Sequence, residues 1–333
     1  LGGIFADRFE RKRLLLFTQS LALLQSVIFA TLVIFNFITP LYIFTLALFL
    51  GTINAFDMTG RQTFLSDLVN QKNVGNAIAL NSLLFNIARV IGPPIGGFII
   101  GSYGEAPCFI FNAVSFLFVL LALIFIKVTP PQNQKATNAF VSFKETLKYF
   151  KENKIQLRML LLMSIVSFLI LPYAYFLPYF ADVVLKGNAE TLGVLLSSSG
   201  IGAMIGAIVM ANHPKIEKLP NLLGISSLIL AISLSAFSFS RSLFFSQFLL
   251  TLAGFATMLA ASSTNIYLQT TAISYLRGRV ISFYVTSFIG FPPLGGLLVG
   301  ALAEKLNTNW VLFAFSSLLV LTSSIYLILY IKK

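Results

Sequence analysis

Two ionisable side chains stand where an apolar chain should carry none. Arg89 lies near the middle of the apolar run 77–100, and Asp57 closes the run 40–56. The surrounding chain is 57% hydrophobic and 10% charged, against about 25% charged in soluble domains, so these runs read as membrane spans. An arginine at the bilayer centre costs about 2.5–3.5 kcal/mol on insertion scales. Arg89 is therefore expected either to face an internal cavity, where it can bind a ligand or take part in charge movement, or to donate to carbonyls freed by Pro93 and Pro94. The first reading is preferred, because the second could be met by a residue cheaper to bury. Other polar or aromatic candidates inside apolar runs are Gln25, Asn54, Asn81, Asn86, Asn112, Tyr173, Tyr175, Tyr179, Asn265 and Tyr284; each can bond a neighbouring helix as readily as a ligand. Sets for covalent chemistry are missing. Cys108 and His213 are the only cysteine and the only histidine, and no Cys/His group has metal-ligand spacing. No Gly-x-x-x-x-Gly-Lys-Ser/Thr loop occurs. The sequence predicts no enzyme, no metal site and no cofactor.

The elements that must position these residues are announced by a repeated phrase. Gly92-Pro93-Pro94-Ile95-Gly96-Gly97 returns as Pro292-Pro293-Leu294-Gly295-Gly296. Paired prolines inside a helix are costly in water, but neighbouring helices can satisfy the freed carbonyls in a membrane. Two copies predict two related halves, each with one helix built to bend and to pack closely, as in internally repeated secondary transporters. Apolar runs long enough to span number ten, at roughly 14–37, 40–56, 77–100, 108–126, 159–180, 192–211, 222–239, 243–263, 280–303 and 311–331. Of the 23 bases, all but Arg89, Lys186, Arg241 and Lys305 fall in alternate loops, which predicts cytoplasmic termini and a monotonic alternation of spans. A basic nucleic-acid binder would instead cluster its charge on a soluble face. Gly202 and Gly206 form a small-x-x-x-small pair suited to close helix contact.

The Pro-Pro helices are the third and ninth spans, six apart, so the repeat unit has six helices and the whole has twelve. The reading is of an all-α membrane protein with ten of twelve helices in two pseudo-symmetric bundles. Residues 1–127 form a first bundle and 158–333 a six-helix second bundle. Residues 128–157 form a cytoplasmic linker whose Phe140, Phe143, Leu147 and Phe150 share one face of a basic amphipathic helix lying on the headgroups. The chain opens Leu1-Gly2-Gly3 without an initiator Met, and two further helices are expected before it. The segment Leu171-Pro172-Tyr173-Ala174-Tyr175-Phe176-Leu177-Pro178-Tyr179 reads as a helix broken twice.

Gly3-Ile4-Phe5-Ala6-Asp7-Arg8-Phe9-Glu10-Arg11-Lys12-Arg13 resembles the loop between the second and third helices of the major facilitator superfamily, with Glu10 where the general pattern has Gly. The Gly-Pro-Pro-Ile-Gly-Gly phrase is similar to a fifth-helix motif found mainly in exporters of that superfamily. Arg61 to Val69, Asn76-Ala77, Asn86-x-x-Arg89, Leu268-Gln269-Thr270 and Arg277-Gly278-Arg279-Val280 resemble the branch that includes enterobactin and macrolide efflux proteins. The resemblance covers nearly the whole chain and implies the major facilitator fold. It also implies a cytoplasmic gate built from Asp7, Arg11 and Asp57, facing the helix start at Val280 with Arg277 and Arg279 beside it.

The expected activity is secondary active transport, with proton-driven efflux of small amphipathic molecules, drug- or siderophore-like, by alternating access in a bacterial cytoplasmic membrane. Uptake by the same architecture, or a non-transporting scaffold or receptor, are the alternatives. The expected partners are a small-molecule substrate, protons and the lipid bilayer, with no nucleic acid, and the chain is expected to act as a monomer. Substrate or coupling candidates are Arg89, Asn54, Asn86, Asn112, Tyr173 and Tyr175.

Overall fold

A computed structural model describes residues 11–68, 74–126, 139–211, 215–273 and 276–331, and the side chains of Arg11, Asn86 and Arg89 lie outside what is described. Every described element is helical. In chain order they are α1 (Arg11–Ile34), α2 (Pro40–Asp67), α3 (Val74–Tyr103), α4 (Ala106–Phe125), α5 (Ala139–Glu152), α6 (Lys154–Val184), α7 (Ala189–Ala211), α8 (Leu219–Phe237), α9 (Leu243–Thr271), α10 (Arg277–Lys305) and α11 (Thr308–Ile331). Eight helices among the described residues are long and apolar enough to cross a membrane. Shorter apolar stretches lie at Pro40–Asn54 and Val90–Tyr103, on the helices where two more spans are expected. Burial argues for lipid as strongly as composition does. In α4 the most apolar window has a mean hydropathy of 2.7, yet only 11% of it is buried, and Phe111, Phe118 and Phe125 are exposed. Such a surface is far beyond what a water-soluble monomer tolerates.

Chain contacts divide the protein into two compact units. One comprises Leu1–Phe85 and Phe98–Thr137; the other comprises Asn86–Gly97 and Asn138–Lys333. The middle of α3, with its prolines, therefore belongs by contact to the second unit. Within the first unit, α1 packs on α2 and α4. Leu15, Phe64 and Leu123 make its small core, and Phe29 stacks on Phe109 with centroids 4.4 Å apart. Lys12 Nζ donates to the carbonyls of Ile124 (3.1 Å) and Ile126 (2.7 Å), where the negative end of the α4 dipole favours a cation.

The second unit has a continuous core through α6 to α11, including Met159, Met163, Ile170, Leu177, Phe180, Leu230 and Phe237. Its tightest crossing joins α7 to α9. A Cβ at Gly202 would fall onto the Thr251 carbonyl, and one at Gly254 onto the Ser199 carbonyl. The glycines thus occupy both sides of the crossing and let the backbones touch. Serines survive in this apolar interior by returning their hydroxyls to the preceding turn, as Ser197 does to the Gly193 carbonyl (2.8 Å) and Ser316 to the Leu312 carbonyl (2.7 Å).

The breaks expected at Pro172 and Pro178 are changes of winding. Span α6 passes from α-helix to a π turn (Val166–Ile170), a 3-10 turn (Leu171–Phe176), a short α turn and a second π turn (Phe180–Val184) with no non-helical residue between them. A proline removes one N–H and crowds the carbonyl four residues back, and local tightening or widening of the turn absorbs both effects. The linker helix α5 also differs from its expected setting. Phe150 is buried and meets Phe283 edge-on at 5.6 Å, and Tyr149 is buried too. That part of its apolar face is covered by protein instead of headgroups, while Leu147 stays exposed. The remainder of the expected linker, residues 128–138, lies outside the described residues.

Candidate functional site

Among the described residues, the first unit holds one buried charge centre. Asp57 sits on α2 after an apolar stretch, turned toward α1, and is 6% exposed. Its Oδ1 accepts from Thr18 Oγ1 (2.8 Å) and Gln19 Nε2 (2.7 Å), and its Oδ2 accepts from Arg61 Nη2 (3.0 Å) and Nε (3.2 Å). A carboxylate can leave water when its lone pairs find donors, and here four bonds from three side chains supply them. Thr18 and Gln19 are adjacent on α1, so one turn of that helix meets one oxygen. Arg61 follows Asp57 by one helical turn and meets the other. The arrangement fixes α1 to α2 around a negative charge. Asn112 on α4 donates to Ser26 Oγ on α1 (2.9 Å), a second polar tie within this unit, and Asn54 is exposed.

The second unit carries both Pro-Gly phrases, in different settings. Pro93 and Pro94 lie inside the continuous helix α3. There a Cβ at Gly97 would stand 2.6 Å from the Ala189 carbonyl, and a Cβ at Gly193 would stand 2.7 Å from the Pro93 carbonyl. The phrase therefore forms a close approach to the start of α7. Gly92 and Gly96 have nothing within 4 Å of such a Cβ. In α10, Pro292 and Pro293 open a fresh α segment directly after a π turn, Thr286–Gly290. Gly295 rests on the Phe168 carbonyl, and Pro172, four residues on, is the residue that leaves this carbonyl without its usual intrahelical donor. A close Cα–H approach is the kind of weak compensation open to such a group. Gly296 leaves room for the Tyr175 ring, which would lie 2.8 Å from a Cβ there. Tyr175 is 60% exposed, whereas Tyr173 is buried and its hydroxyl shares a hydrogen bond with Ser199 Oγ (2.9 Å). The neighbouring π turns of α6 and α10 are in contact, and π turns inside helices recur at functional sites.

One end of the second unit gathers the remaining charge candidates. Arg279 Nη1 pairs with Glu145 Oε2 of α5 at 2.9 Å, and Arg277 is exposed. Gln156 Nε2 donates to Tyr149 OH (3.0 Å) and Thr271 Oγ1 (2.8 Å), tying the elbow between α5 and α6 to the end of α9. Asp7 lies outside the described residues, as do the side chains of Arg11, Arg89 and Asn86 and the lone histidine His213. Among the described residues no cluster of His, Cys, Asp and Glu could hold a metal ion. The Asp57–Arg61 pair was missed, although its four-residue spacing is a signal that could have found it. Thr18, Gln19 and Glu145 were not singled out by any local pattern.

Described residues that are all helical or in short connections, with lipid-facing apolar surfaces and proline-interrupted spans, define a multi-pass membrane protein. The whole chain, residues 1–333, matches the family described as Transmembrane secretion effector, and it belongs to that family of the major facilitator superfamily. It is 28% identical to the Staphyloferrin A transporter of Staphylococcus aureus over 306 residues, 91% of this chain and 76% of that one. It is 24% identical to the Multidrug efflux pump Tap of Mycolicibacterium fortuitum, over 95% and 79% of the two chains. It is 23% identical to the Enterobactin exporter EntS of Shigella flexneri, over 92% and 73%. Among solved structures, a bacterial homologue of the human lysosomal transporter Spinster, inward-facing and occupied, superposes with a TM-score of 0.71. That match has 14% identity and covers 98% of this chain and 84% of the other. The Escherichia coli fucose:proton symporter gives 0.62 at 15% identity, covering 98% and 85%. The protein is thus a transporter of small molecules with the major facilitator fold, and not an enzyme.

Proposed function

We propose that the protein exports small amphipathic compounds, drug- or siderophore-like, from a bacterial cell in exchange for protons. The reading rests on the similarity, along more than nine-tenths of the chain, to proteins named for staphyloferrin A transport, multidrug efflux and enterobactin export. It places the chain in the cytoplasmic membrane with both termini cytoplasmic, as a monomer with ten of the family's twelve spans, working by alternating access of two bundles. A first bundle over 1–127, a linker over 128–157 and a second bundle over 158–333 complete the proposed layout. Asp7, Arg11 and Asp57, with Arg277 and Arg279, form the cytoplasmic gate. The four hydrogen bonds of Asp57, all to side chains of its own unit, fix α1 to α2 and support a structural role for it at the proposed gate. Arg89, Asn54, Asn86, Asn112, Tyr173 and Tyr175 are the substrate and coupling candidates.

The driving force is adequate. One charge crossing about 100 mV releases about 2.3 kcal/mol, which at about 1.4 kcal/mol per decade sustains about a 40-fold concentration ratio. The test is accumulation of a panel of labelled drugs and siderophores in cells with and without the gene, each with and without a protonophore. Export predicts lower accumulation in expressing cells and loss of the difference on uncoupling. Higher accumulation would reverse the direction, a difference that survives uncoupling would remove the proton, and no difference for any compound would remove the export reading.

A further inference from the structure

Two tyrosines of α6 have opposite settings, and the winding of the helix decides it. Tyr173 is buried and bonded to Ser199, whereas Tyr175 is 60% exposed. From Leu171 to Phe176 the helix is 3-10, so residues three apart lie one above the other. Pro172 and Tyr175 therefore share a face, and both meet the glycine pair of α10. A Cβ at Gly295 would stand 3.0 Å from Pro172 Cγ, and one at Gly296 would stand 2.8 Å from Cε2 and 2.9 Å from Cδ2 of Tyr175. No other atom of the ring comes within 4 Å of that point, so the ring meets Gly296 by one edge and its faces turn elsewhere. The repeat does not demand this seat. Gly97, at the matching place in the first Pro-Gly phrase, meets the Ala189 carbonyl instead.

Tyr175 is left with an open ring and an open hydroxyl. Among the described residues it stacks on no other ring and its O–H makes no hydrogen bond. It lies nine residues inside the Val184 end of its span, a depth of about 13 Å at 1.5 Å per residue. Hydrocarbon offers a phenol O–H no partner there, and the side chain is too short to carry it to the interface. An exposed ring at that depth fits a surface touched by water or by a ligand. We propose that Tyr175 is a stacking platform for a planar aromatic portion of the transported molecule, and that Gly296 is the positioning residue that seats its ring. The proposal rests on the export reading above. Offset-stacked rings attract one another beyond what their buried area gives, so the platform favours flat aromatic substrates over saturated ones of the same size. The hydroxyl adds a hydrogen bond to a polar group beside the substrate ring. A methyl at position 296 falls on the ring edge and swings the platform out of place.

Equilibrium dialysis of the purified full chain in nanodiscs against 1-naphthylmethylamine and its decahydro analogue tests this, beside accumulation of the same two compounds in cells. The wild type should bind the naphthyl compound about tenfold more tightly, a factor worth about 1.4 kcal/mol. Tyr175→Leu and Gly296→Ala should each cut that preference to about twofold or less, with binding of the saturated compound nearly unchanged. A merely structural loss would weaken both compounds together. Tyr175→Phe should keep the preference and weaken both compounds alike, by about threefold, through the lost hydrogen bond. No measurable binding of either compound to the wild type, equal affinity for the two, or an undiminished preference in Tyr175→Leu or in Gly296→Ala would overturn the proposal. Selective binding that those variants lose, in cells whose accumulation of both compounds is unaffected by expression, would uphold the platform and remove the export reading.

Discussion

Replacing Asp57 with alanine tests whether the charge centre fixes α1 to α2. The change removes four hydrogen bonds, but their losses are unequal. Arg61 is 58% exposed at its side chain, so water replaces its partner and the ion pair contributes about 0–1 kcal/mol. Thr18 keeps its second bond, to the Leu15 carbonyl at 3.1 Å, and loses little. Gln19 carries most of the cost. Its side chain is buried, its Oε1 already lacks a partner, and Asp57 is the one acceptor its amide reaches among the described residues. An amide left unsatisfied in the interior costs about 1–3 kcal/mol, although polar ties within membranes average nearer 0.6 kcal/mol when measured directly. The expected loss for Asp57→Ala is therefore about 1–3 kcal/mol. Asp57→Asn, which keeps an acceptor for Thr18 and Gln19, should lose about half as much, and Arg61→Ala under about 1 kcal/mol. Reversible unfolding of purified protein in mixed micelles of a mild detergent and dodecyl sulfate gives the three values. The reasoning fails if Asp57→Ala matches the wild type within about 0.3 kcal/mol, or if Arg61→Ala is the most damaging of the three.

Three further outcomes follow from the close helix contacts and the charge candidates. Gly202→Ala should destabilise by about 1–3 kcal/mol, because its methyl falls on the Thr251 carbonyl; the same unfolding titration measures it. Gly97→Ala, which meets the Ala189 carbonyl, should slow transport, whereas Gly92→Ala, with open space around it, should be neutral or slightly stabilising through helix propensity, by up to about 1 kcal/mol. Comparable transport rates for the two would show that the approach at Ala189 does not matter. Arg89→Ala at equal membrane abundance should reduce transport at least tenfold, and unchanged rates would leave this arginine a structural role only.

Much of the fold was legible in the residues because membrane spans are local objects. A run of apolar residues about 20 long has to be helical in lipid wherever it packs, so the positions of α1, α4 and α6 to α11 follow from hydropathy alone. The prolines and the Gly202–Gly206 pair were equally readable, since only Gly lets backbones touch at a crossing, whereas Gly254 on the facing helix emerged only from the structure. Which face of each span is buried was not readable. Lipid and protein interior are alike in polarity, so a spanning helix needs no amphipathic stripe, and partner choice falls to van der Waals fit and scattered hydrogen bonds. Tertiary structure alone brought Thr18 and Gln19 to Asp57, set Gly295 on the Phe168 carbonyl, turned Phe150 of the linker helix toward Phe283 and joined the middle of α3 to the second unit. Each of these depends on residues far apart in the chain meeting at one depth, a relation that neither composition nor periodicity encodes.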